Sequence, residues 1–107
     1  MDPGSVDRVF AALGDPGRRQ LVREISARGD ATATELAAEL PVTRQAVAKQ
    51  LATLADAGLV SATRRGRETR YELTPQPLGE AMAWMADVGA RWDSRLEALR
   101  EHLLRPK

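Results

Sequence analysis

At 107 residues the chain has the usual size of one domain, and 43% hydrophobic residues are enough to bury a core. The absence of cysteine excludes a disulfide framework and any thiolate metal site. The net charge of +1 is unevenly spread. Between Pro41 and Tyr71 six bases (Arg44, Lys49, Arg64, Arg65, Arg67, Arg70) face two acids (Asp56, Glu68), whereas ten bases and thirteen acids occupy the remainder. One basic third on a mildly acidic body suits a polyanion partner. No apolar run is long enough to span a membrane, and Met1 to Asp7 lack the apolar stretch of a signal peptide, so the cytoplasm is the expected compartment.

Val6, Val9, Phe10 and Leu13 recur at helical spacing, and Gly14 closes this first helix. Asp15-Pro16 reads as an N-cap followed by proline at the first helical position. The second helix carries Leu21, Val22 and Ile25 on one face and stops near Gly29. Thr32 to Glu35 is a capping box that opens a short third helix with Leu36 and Leu40 inward; Pro41 ends it. Thr43 caps a fourth helix running to about Ala57, with Gly58 as its stop. The period then changes. Val60 and Ala62 share one face of a strand, Tyr71 and Leu73 one face of a second, and Gly66 marks the turn between them. A final helix opens at Thr74-Pro75 or Gln76-Pro77 and continues to about Leu104.

This order predicts a mainly α fold with a small β-hairpin: a winged helix-turn-helix over residues 1–107, with a head and wing at 6–74 and a long C-terminal dimerisation helix at 75–104. In a helix-turn-helix the second helix enters the major groove and its first turns reach base edges. Val47, Leu51 and Leu54 define the buried side of the fourth helix, leaving Gln45, Ala48, Lys49 and Ala52 opposite, with Thr43 and Arg44 at the exposed end. Small alanines allow close approach to a groove, while Arg, Gln and Lys are the side chains that read guanine, adenine and phosphate. No acid occurs from Val42 to Ala55. A solvated helix carries such residues too, but a basic hairpin following directly is the more specific signal. The candidate DNA contacts are Thr43, Arg44, Gln45, Lys49 and Gln50 from the helix and Arg65 and Arg67 from the wing.

The run from Phe10 to Arg19 (FAALGDPGRR) resembles the opening signature of ArsR/SmtB-type winged-helix repressors. Glu35-Leu36-Ala37, Val47-Ala48-Lys49-Gln50-Leu51, Leu54 and Ala57-Gly58-Leu59-Val60 are similar to their helix-turn-helix and its exit into the wing, so the likeness covers roughly residues 6–74. The resemblance implies a homodimeric repressor of a palindromic double-stranded operator. Gly17 stands where a β-branched residue is common, Ala48 where serine is, and Gln50 where histidine is. The last two lie in the recognition helix, so the resemblance carries no operator sequence. The sensing cysteines are missing, placing the chain with members that lack a metal site; Asp87, Asp93, Glu97, Glu101 and His102 read as a solvated helix end rather than ligands. No cofactor is expected, and the effector is left open.

Leu78, Met82, Met85, Gly89, Trp92, Leu96, Leu99 and Leu103 alternate in steps of four and three, which is an a/d seam. Met82, Met85, Trp92, Leu96 and Leu99 are the candidate dimer contacts; the alternative for Met82, Trp84, Met85 and Trp92 is the core of the same chain. An enzyme is not expected, because no nucleophilic cysteine or phosphate loop is present and the one histidine has no orienting partner. A winged-helix protein-interaction module would expose apolar anchors on the fourth helix instead of Arg44, Gln45 and Lys49. An architectural DNA binder would bind all duplexes alike.

Overall fold

The computed structural model describes residues 3–105, in the order α1 (Pro3–Leu13), α2 (Pro16–Arg28), β1 (Asp30–Ala31), α3 (Ala33–Glu39), α4 (Arg44–Asp56), β2 (Val60–Arg65), β3 (Glu68–Leu73) and α5 (Pro75–Leu104). The helix ends follow local chemistry. The Asp15 carboxylate accepts the Arg18 backbone N–H at 3.0 Å ahead of α2. Both halves of the capping box form at α3: the Thr32 hydroxyl accepts from the Glu35 N–H at 3.1 Å, and Glu35 accepts from the Thr32 N–H at 2.8 Å. Thr43 caps α4 through the Ala46 N–H at 3.1 Å. Gly58 leaves α4 with φ of 78°, a conformation that would strain most other residues.

The three strands form one antiparallel sheet in the order β1-β3-β2. Val60 pairs with Leu73 and Arg65 with Glu68 in the expected hairpin, whose turn holds Gly66 at φ 61°. β1 is an addition to the expected elements. Asp30 pairs with Glu72 and Ala31 with Tyr71, which puts β3 in the middle of the sheet. Two residues show no alternation, so only their pairing reveals the strand.

Val9, Leu21, Ile25, Leu36, Val47, Leu51, Leu54 and Leu59 are fully buried and make one core with Val60 and Ala81. Each such side chain stabilises the fold by about 1.5–3 kcal/mol on burial. α5 joins through Leu78 and Ala81, and Trp84 meets Phe10 edge-on with ring centroids 5.5 Å apart. Beyond Val88 every α5 side chain is exposed through Leu104. Thirty residues of helix are about 45 Å long, and the molecule accordingly extends 73 Å along its major axis. Met82 (59% exposed), Met85 (47%) and Trp92 (57%) therefore do not complete the core, and Trp84 (48%) does so only through its edge on Phe10. Among the described residues no helix is long and apolar enough to cross a membrane.

Candidate DNA interface

Residues 40–43 join α3 to α4, and the Val42 N–H donates to the Leu40 carbonyl at 2.8 Å to tighten that turn. With Leu36 buried under α3 and Val47, Leu51 and Leu54 under α4, both helices are anchored from the same side. The N-terminal half of α4 then stands clear of the body, with Thr43, Arg44, Gln45, Ala48 and Lys49 all exposed. The Thr43 oxygen already accepts a cap bond, which leaves its hydroxyl hydrogen to donate to an acceptor outside.

Across from this face stands the hairpin. A cleft of about 540 Å³ separates them, with Arg44, Gln45 and Ala48 on the α4 side and Arg64, Arg67, Thr69 and Tyr71 on the wing side. Among the described residues no acidic side chain pairs with Arg44, Lys49 or Arg67. The acids bordering the cleft are Glu35 and Glu68, and both are engaged by Arg70. The cleft thus offers cations on two facing walls and the Gln45 amide on one, a surface suited to a polyanion with readable edges.

Four expected contacts do not line this cleft: Thr43 and Lys49 are exposed on α4 outside it, and Gln50 and Arg65 are bonded elsewhere. Gln50 is half-buried on the other flank of α4: its Nε2 donates to the Asp15 carboxylate at 3.2 Å, and its Oε1 accepts from Arg18 Nη1 at 3.0 Å. Arg18 Nε also donates to the Ala12 carbonyl at 2.6 Å, so the group ties α4 to the end of α1 and the start of α2. Arg65 lies on the opposite face of its strand from Arg64 and pairs with Asp30 at 3.5 Å. Arg64, a hairpin arginine that is not among the expected contacts, takes the cleft position. Strand alternation carries the signal, since Val60, Ala62 and Arg64 fall on one face. Among the described residues no cluster of His, Cys, Asp or Glu is arranged to hold a metal ion.

At the root of the wing the Arg70 guanidinium meets Asp30 and Glu35 at 3.0 Å each and Glu68 at 3.3 Å. The hydrogen bond from Arg70 holds the Asp30 carboxyl below its usual range, and the Thr32 N–H, joined by Arg70, does the same for Glu35. The same contacts, led by Asp30, raise the pKa of Arg70.

A helix-turn-helix, a basic hairpin facing its second helix and a long trailing helix define a winged helix-turn-helix DNA-binding protein. The chain's relatives agree. A family model described as a helix-turn-helix domain matches residues 13–61. The chain is 41% identical over 81 residues to the uncharacterized HTH-type transcriptional regulator YuzN of Bacillus subtilis (strain 168), covering 70% of this chain and 88% of that protein. Transcriptional repressor SdpR of the same organism is 28% identical over 91 residues, with 85% and 100% covered. The solved structure of an ArsR-like transcriptional regulator from Rhodococcus sp. RHA1 superposes with a TM-score of 0.78 at 40% identity over 92% of each chain. The chain belongs to the ArsR family of winged helix-turn-helix transcriptional regulators: it is a DNA-binding regulator, not an enzyme.

Proposed function

We propose that the protein is a cytoplasmic repressor that binds a palindromic operator as a homodimer. The observation that carries this reading is the cleft in which Arg44, Gln45 and Ala48 of α4 face Arg64 and Arg67 of the wing. Arg44 and Gln45 read base edges; Thr43, Lys49, Arg64 and Arg67 bind phosphate, and Arg65 adds charge from the outer face of the wing. One head offers a single recognition helix, so dyad-related half-sites need two chains. The second chain is supplied by α5, where Met82, Met85, Trp92, Leu96 and Leu99 remain about half exposed in a continuous row. An apolar row of this length is unusual on a monomer surface and suits a self-complementary two-fold contact.

The test is selection of bound fragments from genomic DNA, followed by footprinting on the recovered site. Two protected half-sites with centres about 10 base pairs apart, or a multiple of that, are expected. Protection of a single asymmetric half-site would overturn the dimer reading, and equal affinity for all duplexes would overturn sequence-specific repression.

A further inference from the structure

We propose that Arg70 is a positioning residue for DNA binding: its guanidinium fixes the angle between the wing and the recognition helix, so that Arg64 and Arg67 reach phosphate. The inference rests on the proposed phosphate contacts of the wing, and it concerns a residue that does not itself touch DNA.

Arg70 bonds the wing to two elements of the head at once, β1 and α3, whereas the other side-chain bond from the hairpin, the exposed Arg65–Asp30 pair at 3.5 Å, reaches β1 alone. Its Nη2 donates to Asp30 Oδ1 in β1 and to Glu35 Oε1 in the first turn of α3, each at 3.0 Å. Its Nη1 donates to Glu68 on its own strand at 3.3 Å. The Glu35 oxygen that takes Arg70 also takes the Thr32 N–H at 2.8 Å, so the clamp closes on the capping box itself. α3 leads through residues 40–43 into α4, and the clamp therefore references the wing to the body that carries Arg44 and Gln45. Only 18% of the Arg70 side chain is exposed, whereas residues 61–68 of the hairpin are all exposed.

A planar guanidinium holds several carboxylates in fixed directions, which a lysine ammonium on a flexible stem cannot reproduce. The second effect of Arg70 is electrostatic. Glu35 and Glu68 border the DNA cleft, and without a cation between them they would repel phosphate. Arg70→Lys separates the two effects, because it keeps the charge and removes the fork.

The experiment is a double-substitution cycle on the full-length protein, with Arg67→Ala made alone, in Arg70→Lys and in Glu35→Gln. Gln can still accept the Thr32 N–H, so the second background preserves the cap while weakening the clamp. Affinity for the selected operator fragment is measured by fluorescence anisotropy across a salt series, and circular dichroism melts establish that each variant is folded. One phosphate contact contributes a salt slope of about 0.9, which at 0.15 M salt corresponds to roughly fivefold in affinity. Arg67→Ala alone is expected to weaken binding by about that factor and lower the slope by about one. Arg70→Lys is expected to weaken binding by roughly five- to thirtyfold, as one or two wing contacts are lost at unchanged charge. Adding Arg67→Ala to Arg70→Lys should then cost less than about twofold, with a smaller version of the same coupling in Glu35→Gln.

A merely structural Arg70 would lower the melting temperature and leave the salt slope and the Arg67→Ala effect as they are. An undiminished Arg67→Ala effect in both backgrounds overturns the positioning role and leaves the wing contact standing. An Arg67→Ala variant that binds like wild type overturns the wing contact, and the proposal with it.

Discussion

Replacing Leu96 by aspartate tests the proposed dimer separately from the head. Leu96 is 57% exposed in the single chain and lies outside the buried core, so the head loses no packing. Complete burial of a leucine stabilises by about 1.5–3 kcal/mol, and somewhat more than half of that remains for a partner to supply, or about 1–1.5 kcal/mol per subunit. A carboxylate in the same contact adds a desolvation cost of several kcal/mol per ion, and a two-fold interface meets it twice. The dimer should weaken by at least about 5 kcal/mol, more than three orders of magnitude in dissociation constant. Leu96→Ala, which loses only the transfer part, should fall between. A monomer keeps α4 but not the second half-site, and linked sites supply on the order of 10²–10⁴ in avidity, so most operator affinity should vanish. Sedimentation velocity gives the mass, anisotropy the affinity and circular dichroism the integrity of the head. A folded, monomeric Leu96→Asp with undiminished operator affinity would refute the reasoning, as would a wild type that stays monomeric at micromolar concentration.

The two glutamines of α4 should behave differently. Gln45→Ala should relax specificity at one base position, at about 1–3 kcal/mol, and leave the melting temperature nearly unchanged. Gln50→Ala should lower stability by about 1–3 kcal/mol, because Arg18 and Asp15 each lose a hydrogen-bond partner, and leave base preference intact; binding-site selection and thermal melts with both variants distinguish the two roles. Asp30 and Glu35 are held below their ordinary values of 3.8 and 4.5, so their stabilisation is complete above those values and is lost as pH falls through the lower folded ones. Asp30→Asn combined with Glu35→Gln should flatten the acid limb of a stability–pH curve measured by urea titration; an unchanged limb would assign acid unfolding to other carboxyls. Zinc, cadmium and arsenite at micromolar levels should leave operator affinity unchanged, and release reversed by a chelator would reveal a carboxylate-based site.

What was legible in the sequence is what local chemistry decides. Asp15-Pro16, the Thr32–Glu35 box, Thr43 and Gly58 announce their helix ends within four residues of chain, and the observed boundaries fall there. The a/d spacing of α5 likewise shows which side chains share a row, although it does not show that Met82 and Met85 stay outside the core while Ala81 goes in. The rest depends on residues that are distant in sequence. Arg70 meets Asp30 from 40 positions away, and Arg18 meets Gln50 from 32. Nothing near Gln50 marks its amide as a tie between helices rather than a reader of bases. The exchange of Arg65 for Arg64 in the cleft has a different origin: both stand in one basic run, and alternation along β2 from the buried Val60 decides which faces α4.

The outer half of α5 makes an unusual demand on its own backbone. From Gly89 to Leu104 every side chain is exposed, and the helix has no buried contact among the described residues. Its internal supports are small: Asp87–Arg91 at 3.3 Å, Glu97–Arg100 at 4.0 Å and Arg95 over the Trp92 ring at 5.7 Å, each contributing at most about 1 kcal/mol at exposed sites. Gly89, at the point of departure, removes about as much. Isolated helices of this length are marginal in water, so if α5 pairs as proposed the segment takes much of its helicity from its partner. Chain concentration then sets how much of this tail is folded. Unpaired copies carry a fraying stretch that exposes Trp92 and four leucines, with rapidly exchanging amides and bonds open to proteases. Dilution of the regulator would promote its own clearance, coupling the lifetime of each copy to whether it has found another.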